Sequence, residues 1–106
     1  MMKPETKFRQ RVQRDLDTLP NTWAESIQQK SIRGSPDIIS CINGLFVALE
    51  LKIKGNGLTP LQKYKGELIK KAGGVFLGVW PEDWDETFIH LKSLAYGKIE
   101  RTITSD

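Results

Sequence analysis

The chain is poor in the residues that build soft-metal sites and covalent staples: of its 106 residues, one is cysteine, Cys41, and one is histidine, His90. A single cysteine cannot close an intramolecular disulfide, and with no second cysteine or clustered histidine it makes neither a zinc site nor an evident nucleophile. No window approaches the roughly 18 apolar residues of a membrane span. The opening Met-Met-Lys-Pro-Glu lacks the apolar stretch of a signal peptide. A reducing cytoplasm is therefore the expected location, with no membrane partner. The glycines of Lys54-Gly55-Asn56-Gly57 are not followed by Gly-Lys-Ser/Thr, so they form no P-loop, and no nucleotide cofactor is expected. Ser35 belongs to no Ser/His/Asp arrangement. With no internal repeat, low-complexity stretch or Pro/Gly/Ser linker, residues 1–106 are expected to form one domain. A content of 39% hydrophobic and 27% charged residues is that of a soluble globular domain.

The net charge of +3 is spread unevenly: residues 1–33 carry +3, residues 34–49 carry −1, residues 50–71 carry +4 and residues 72–106 carry −3. A basic first two-thirds followed by an acidic last third points to a polyanionic partner; the alternative is an ordinary solvated basic face.

Hydrophobic spacing gives the organisation. From about Pro4 to Leu19, Phe8, Val12, Leu16 and Leu19 form a narrow helical stripe, with Pro4 suited to the first turn and Lys7, Arg9, Arg11 and Arg14 off the stripe. Trp23 to Gln29 reads as a short strand. Asp37–Ile42 and Leu45–Ile53 are β-rich runs separated by Asn43-Gly44, the signal of a type I′ hairpin. In Thr59-Pro60-Leu61-Gln62, Thr59 can serve as N-cap, Pro60 as first helical residue and Gln62 as capping-box partner. This helix should run to about Ala72, with Leu61, Tyr64, Leu68 and Ala72 on its buried side and Gly73-Gly74 ending it. Val75 to Trp80 is a strand by composition. Pro81-Glu82-Asp83 opens a last helix with Trp84, Phe88, Leu91 and Ala95 on one face and His90 exposed. The order predicts an α/β sandwich with a mixed sheet, because the last strand returns after a helical crossover.

A two-residue turn at Asn43-Gly44 places Asp37 opposite Glu50, with Lys52 on the same face. Ile38, Ser40 and Ile42 then join Leu45, Val47, Leu49 and Leu51 on the opposite, core-facing side. Cβ atoms of directly opposed residues are about 4.5–5.5 Å apart, so two facing carboxylates repel and call for a compensating charge. A divalent cation supplies it, and magnesium takes one or two carboxylates with water or phosphate oxygens completing its shell. The competing reading is a solvent-facing edge on which Lys52 pairs with Glu50 or Asp37 to little effect.

Gly34-Ser35-Pro36-Asp37, a hairpin, Glu50-Leu51-Lys52 and a helix starting Thr59-Pro60-Leu61-Gln62 together resemble the PD-(D/E)XK nuclease superfamily, specifically stand-alone VRR-NUC domains, with archaeal-type Holliday junction resolvases as near relatives. The resemblance runs from about Glu5 to Trp80. It implies a restriction-endonuclease-like sandwich: a central mixed β-sheet with an antiparallel hairpin, flanked by helices. It implies that Asp37, Glu50 and the backbone carbonyl of Leu51 hold Mg2+ or Mn2+, that Glu5 completes the metal site, and that Lys52 contacts the attacking water or scissile phosphate. Glu5 is also open to reading as an acid favoured by the helix macrodipole. Gln62 matches a glutamine beside the active site, and its capping role competes with that.

The implied activity is a metal-dependent endonuclease hydrolysing DNA phosphodiester bonds, acting on Holliday junctions or other branched DNA in recombination, repair or replication. Stand-alone domains of this kind occur in phages and prophages, so a phage-encoded protein working in the host cytoplasm fits. The alternatives are a simple nicking or degradative nuclease, or a non-catalytic nucleic-acid-binding module on the same fold. Arg33, Lys54, Lys63 and Lys65 lie close in sequence to the acidic pair, and Arg9 and Arg11 lie on the first helix beside Glu5; these six are the expected phosphate contacts. A homodimer would bring two active sites to a junction, and the face of Trp84 and Phe88 is the expected dimer surface.

Overall fold

The computed structural model describes residues 2–28 and 33–97. Its elements are α1 (Pro4–Asp17), β1 (Thr22–Ser26), β2 (Ile38–Ile42), β3 (Leu45–Leu51), α2 (Pro60–Lys71), β4 (Val75–Val79), a short 3-10 turn at Pro81–Asp83 and α3 (Trp84–Tyr96). This is the expected order. The boundaries are trimmed by a residue or two, and Gln29, where the sequence ends the first strand, lies outside the described residues.

The sheet runs β1-β2-β3-β4, with β1/β2 and β2/β3 antiparallel and β3/β4 parallel. The mixed sheet and flanking helices have the restriction-endonuclease-like architecture. The hairpin closes as its dipeptide dictates: Asn43 and Gly44 both take positive φ, 51° and 89°, and Ile42 faces Leu45. Ile38 consequently pairs with Leu49.

Parity along the strands then divides the sheet. Ile38, Ile42, Val47, Leu49 and Val79 face Phe8, Val12 and Leu16 of α1 and Trp84, Leu91 and Ala95 of α3 in one buried cluster. Asn21 Nδ2 donates to the Ala95 carbonyl, and Asn43 Nδ2 to those of Leu94 and Gly97, so two turn residues cap the end of α3. The Trp84 ring is fully buried, and its Nε1 donates to Asp15 Oδ2 at 2.8 Å. Phe88 is half-buried against it, at 5.7 Å between ring centroids. Trp84 is thus core, and the expectation that this face docks a second subunit fails because α1 already covers it.

The helix α2 packs on the other face, over β4. It begins with the expected capping box and ends in a Schellman motif, Gly73 N–H to Lys70 O and Gly74 N–H to Ile69 O. Its orientation differs from the periodicity. Leu61, Tyr64, Leu68 and Ala72 are exposed, while Gly66 is buried and Gln62, Lys65 and Ile69 are half-buried. The cause is a close approach at Gly66: a Cβ there would fall 2.4 Å from the Phe76 ring, so α2 turns its only glycine, and with it Gln62, toward the strands.

Candidate metal-assisted active site

The site forms where the antiparallel ladder runs out. In a two-residue hairpin the hydrogen-bonded pairs recur at every second position from the turn, so Ile42/Leu45, Ser40/Val47 and Ile38/Leu49 would be followed by position 36 against Leu51. Position 36 is proline, with no N–H to give to the Leu51 carbonyl. The Leu51 N–H instead donates to Asp37 Oδ2 at 2.8 Å, while the Asp37 N–H donates to the Leu49 carbonyl and its carbonyl accepts from Ile27. The interruption therefore fixes the Asp37 carboxylate beside Leu51. Position 36 thus cannot offer the Leu51 carbonyl the N–H that a regular ladder would provide.

Glu50 lies one step beyond the last ladder pair, on the Asp37 side of the sheet. Both are buried, with 3% of Glu50 and 7% of Asp37 exposed. Burying two acids requires opposing charge and hydrogen bonds. Gln62 Nε2 donates to Glu50 Oε2 at 3.0 Å, and Lys52 Nζ lies 3.9 Å from the same oxygen. Arg9 Nη2 lies 3.8 Å from Asp37 Oδ1. Side chains thus supply compensating charge that the sequence reading assigned to a metal, and the Lys52–Glu50 pair expected of the bland alternative is present, though it is buried in a cavity instead of lying on an open edge.

Gln62 reconciles its two readings. Its Oε1 accepts from the Thr59 N–H at 2.9 Å, and its own N–H donates to Thr59 Oγ1 at 3.1 Å, completing the capping box. The amide nitrogen left over holds Glu50. One side chain ends the helix and orients an acid because an amide carries both donor and acceptor.

A cavity of about 260 Å³ opens onto this cluster, lined by Glu5, Phe8 and Arg9 of α1, by Asp37, by Glu50–Ile53 and by Asn56. Glu5 therefore reaches the same cavity, on the exposed first turn of α1. It does not join Asp37 and Glu50 in a tight triad: among the described residues, no three acidic, histidine or cysteine side chains come close enough to hold an ion between them. Two carboxylates with a backbone carbonyl instead suit a cation that keeps much of its shell for water and phosphate, as Mg2+ does, and not one that needs an all-protein cage.

The basic residues divide. Arg9 enters the cavity. Arg11 turns the other way, bonded to Asp85 Oδ1 at 2.7 Å and toward the Pro81 carbonyl, so it ties α1 to the start of α3. Arg33 and Gly34 flank the N-terminus of α2, where Gly34 takes φ +80° and a Cβ would fall 2.8 Å from Leu61 Cγ. Only glycine fits there without strain, which sets the loop leading to Asp37. Lys54 and Lys63 are exposed and Lys65 half-buried. Sequence reasoning counted Arg9 among the phosphate contacts and missed its contact with Asp37; the available signal was its position one helical turn after Glu5.

No family model matches the sequence, and no curated protein matches it. A solved structure described as a "VRR_NUC domain" superposes with a TM-score of 0.70, covering 84% of this chain and 97% of its own, at 16% sequence identity. The chain has the fold of a VRR_NUC domain. At that identity, the likeness to the VRR_NUC structure concerns the course of the backbone, while the chemistry rests on Asp37, Glu50, Lys52 and Gln62. No helix among the described residues is long and apolar enough to cross a membrane.

Proposed function

We propose that this protein is a Mg2+- or Mn2+-dependent endonuclease that hydrolyses phosphodiester bonds of branched DNA. The observation that carries the reading is the pair of buried carboxylates, Asp37 and Glu50, opening with Lys52 into one cavity at the interrupted end of a hairpin. Asp37, Glu50 and the Leu51 carbonyl would hold the cation, with Glu5 at the cavity wall. A bound divalent ion would activate water and stabilise charge on the leaving oxygen. The protein does the rest. The Leu51 N–H and Gln62 Nε2 fix the two carboxylates in orientation, so little reorganisation is needed at the moment of reaction. Lys52, already at Glu50, is placed to orient the attacking water and to oppose charge developing on the phosphoryl oxygens. Arg9, Arg33, Lys54, Lys63 and Lys65 would meet phosphates without reading bases.

A panel of linear, nicked, flap and four-way DNA at fixed salt tests this: cleavage of the four-way junction with Mg2+ or Mn2+ is expected. Equal cutting of all substrates would leave a degradative nuclease, and binding without cleavage under either metal would leave a binding module.

We further propose that it acts as a homodimer, in the cytoplasm. Leu61, Tyr64 and Leu68 form a stripe on α2 that is 40%, 60% and 45% exposed, and a contiguous apolar face of this sort marks an interaction surface. Light scattering is expected to return twice the 12.0 kDa of one chain, and the double change Leu61→Glu/Leu68→Glu to return the single mass. A single mass for the unaltered protein at micromolar concentration would sink the dimer.

A further inference from the structure

Arg9 is held in an unusual way for a residue so near an acid. Its guanidinium stands 3.8 Å from Asp37 Oδ1, beyond hydrogen-bond length, and its Nε is buried with no hydrogen-bond partner among the described residues. A buried donor left unmade costs free energy, which the charge of Asp37 helps to offset. Arg9 also belongs to two cavities. Besides the one containing the carboxylates, it lines a hollow of about 350 Å³ between α1 and β1, together with Gln13, Arg14, Ser26 and Gln28. The floor of that hollow is fixed: Ser26 Oγ donates to Gln13 Oε1 at 2.9 Å, and Gln13 Nε2 donates to the Ala24 carbonyl at 3.0 Å. Among the described residues, Arg9 and Arg14 are the cations on its wall, and Asp17, which accepts from Gln13 Nε2 at 3.0 Å, is its acid.

We propose that Arg9 is an exchangeable counter-charge: it neutralises Asp37 until a divalent cation takes Oδ1, and then turns into the α1–β1 hollow, where with Arg14 it grips a DNA phosphate beside the one being cut. The inference rests on the metal-dependent reading above and assigns that site an order of events. A cation and the Arg9 guanidinium compete for one oxygen, so metal and DNA binding become coupled, with each favouring the other. A guanidinium suits the second position, because its planar fork bonds phosphate with two parallel N–H groups.

The prediction is a pair of opposite effects from one substitution. In Arg9→Gln, Mn2+ affinity without DNA, followed by electron paramagnetic resonance at constant ionic strength, should rise about threefold, as loss of a weak competing ion pair implies. Affinity for a four-way junction in Ca2+, read by fluorescence anisotropy, should fall, with the slope of log affinity against log salt smaller by about one. Arg9→Lys keeps the charge and should restore most of the salt slope, and thermal melting of both variants separates these effects from misfolding. Mn2+ binding that is indifferent to Arg9, or junction affinity unchanged in Arg9→Gln, overturns the inference and leaves the nuclease reading standing. Failure of the unaltered protein to bind Mn2+ at all, with or without DNA, overturns both.

Discussion

Replacing Asp37 by asparagine, or Glu50 by glutamine, is expected to abolish DNA cleavage while leaving junction binding within a few-fold of the unaltered protein. Each change removes one negative charge and preserves shape. An asparagine carbonyl can still accept from the Leu51 N–H, and a glutamine carbonyl can still accept from Gln62 Nε2, so the hydrogen bonds that orient these positions survive. What disappears is the charge that holds a cation, whose transition-state contribution is several kcal/mol; at about 1.4 kcal/mol per factor of ten, that implies a loss on the order of a thousandfold or more. Cleavage rates under single-turnover conditions with Mg2+, alongside anisotropy with Ca2+, measure the two quantities separately. Retention of a tenth of the rate in either variant would remove the carboxylates from the mechanism. A parallel loss of binding would mean that the substitutions had damaged the fold.

The largest effect on stability is expected away from the site, at Trp84. Its ring is fully buried between α3 and α1, and its indole N–H satisfies Asp15. Truncation to alanine opens a cavity too large for the neighbours to close and takes the indole donor from Asp15; changes of this kind typically cost about 3–5 kcal/mol. For a domain of this size that corresponds to a fall in melting temperature of roughly 15–30 °C. Calorimetry or circular dichroism measures it. A shift of only a degree or two would mean that the ring is not in the core, and would reopen α3 as a docking face. Trp84→Phe, which keeps most of the apolar volume and loses the N–H, should fall between the two.

What could be read from the sequence, and what could not, follows the separation of the interacting residues. The hairpin register is set by the two residues Asn43 and Gly44, and it brings together the strand ends that carry Asp37 and Glu50. The capping box and the Schellman end of α2 are equally local, each complete within a few residues. The face of α2 was misread because Leu61, Tyr64 and Leu68 are an apolar series at helical spacing, whereas the deciding contact, Gly66 against Phe76, joins residues whose fit is apparent only when the helix lies on the sheet. The placement of Trp84 was misread for a similar reason: a large aromatic on an amphipathic helix looks the same whether its partner is α1 or a second chain. Arg9 and Arg11 show the limit most plainly. They are two residues apart and equally basic, yet one meets Asp37 and the other Asp85, because positions two apart on a helix point to different sides. Composition identified the positive charge, and only the packing of α1 assigned each cation its acid.

Pro36 bears on how a protein keeps a reactive opening in an otherwise self-satisfying sheet. A β-ladder tends to run on until something stops it, and each further rung would consume backbone groups that chemistry could use. A residue with no hydrogen to give, immediately before the acid, cannot supply the next rung, and there the Leu51 N–H is held by the Asp37 carboxylate instead. The proline next to Asp37 thus withholds a backbone donor where the ladder stops, and the last residue of β3 turns its N–H to a side chain that carries charge.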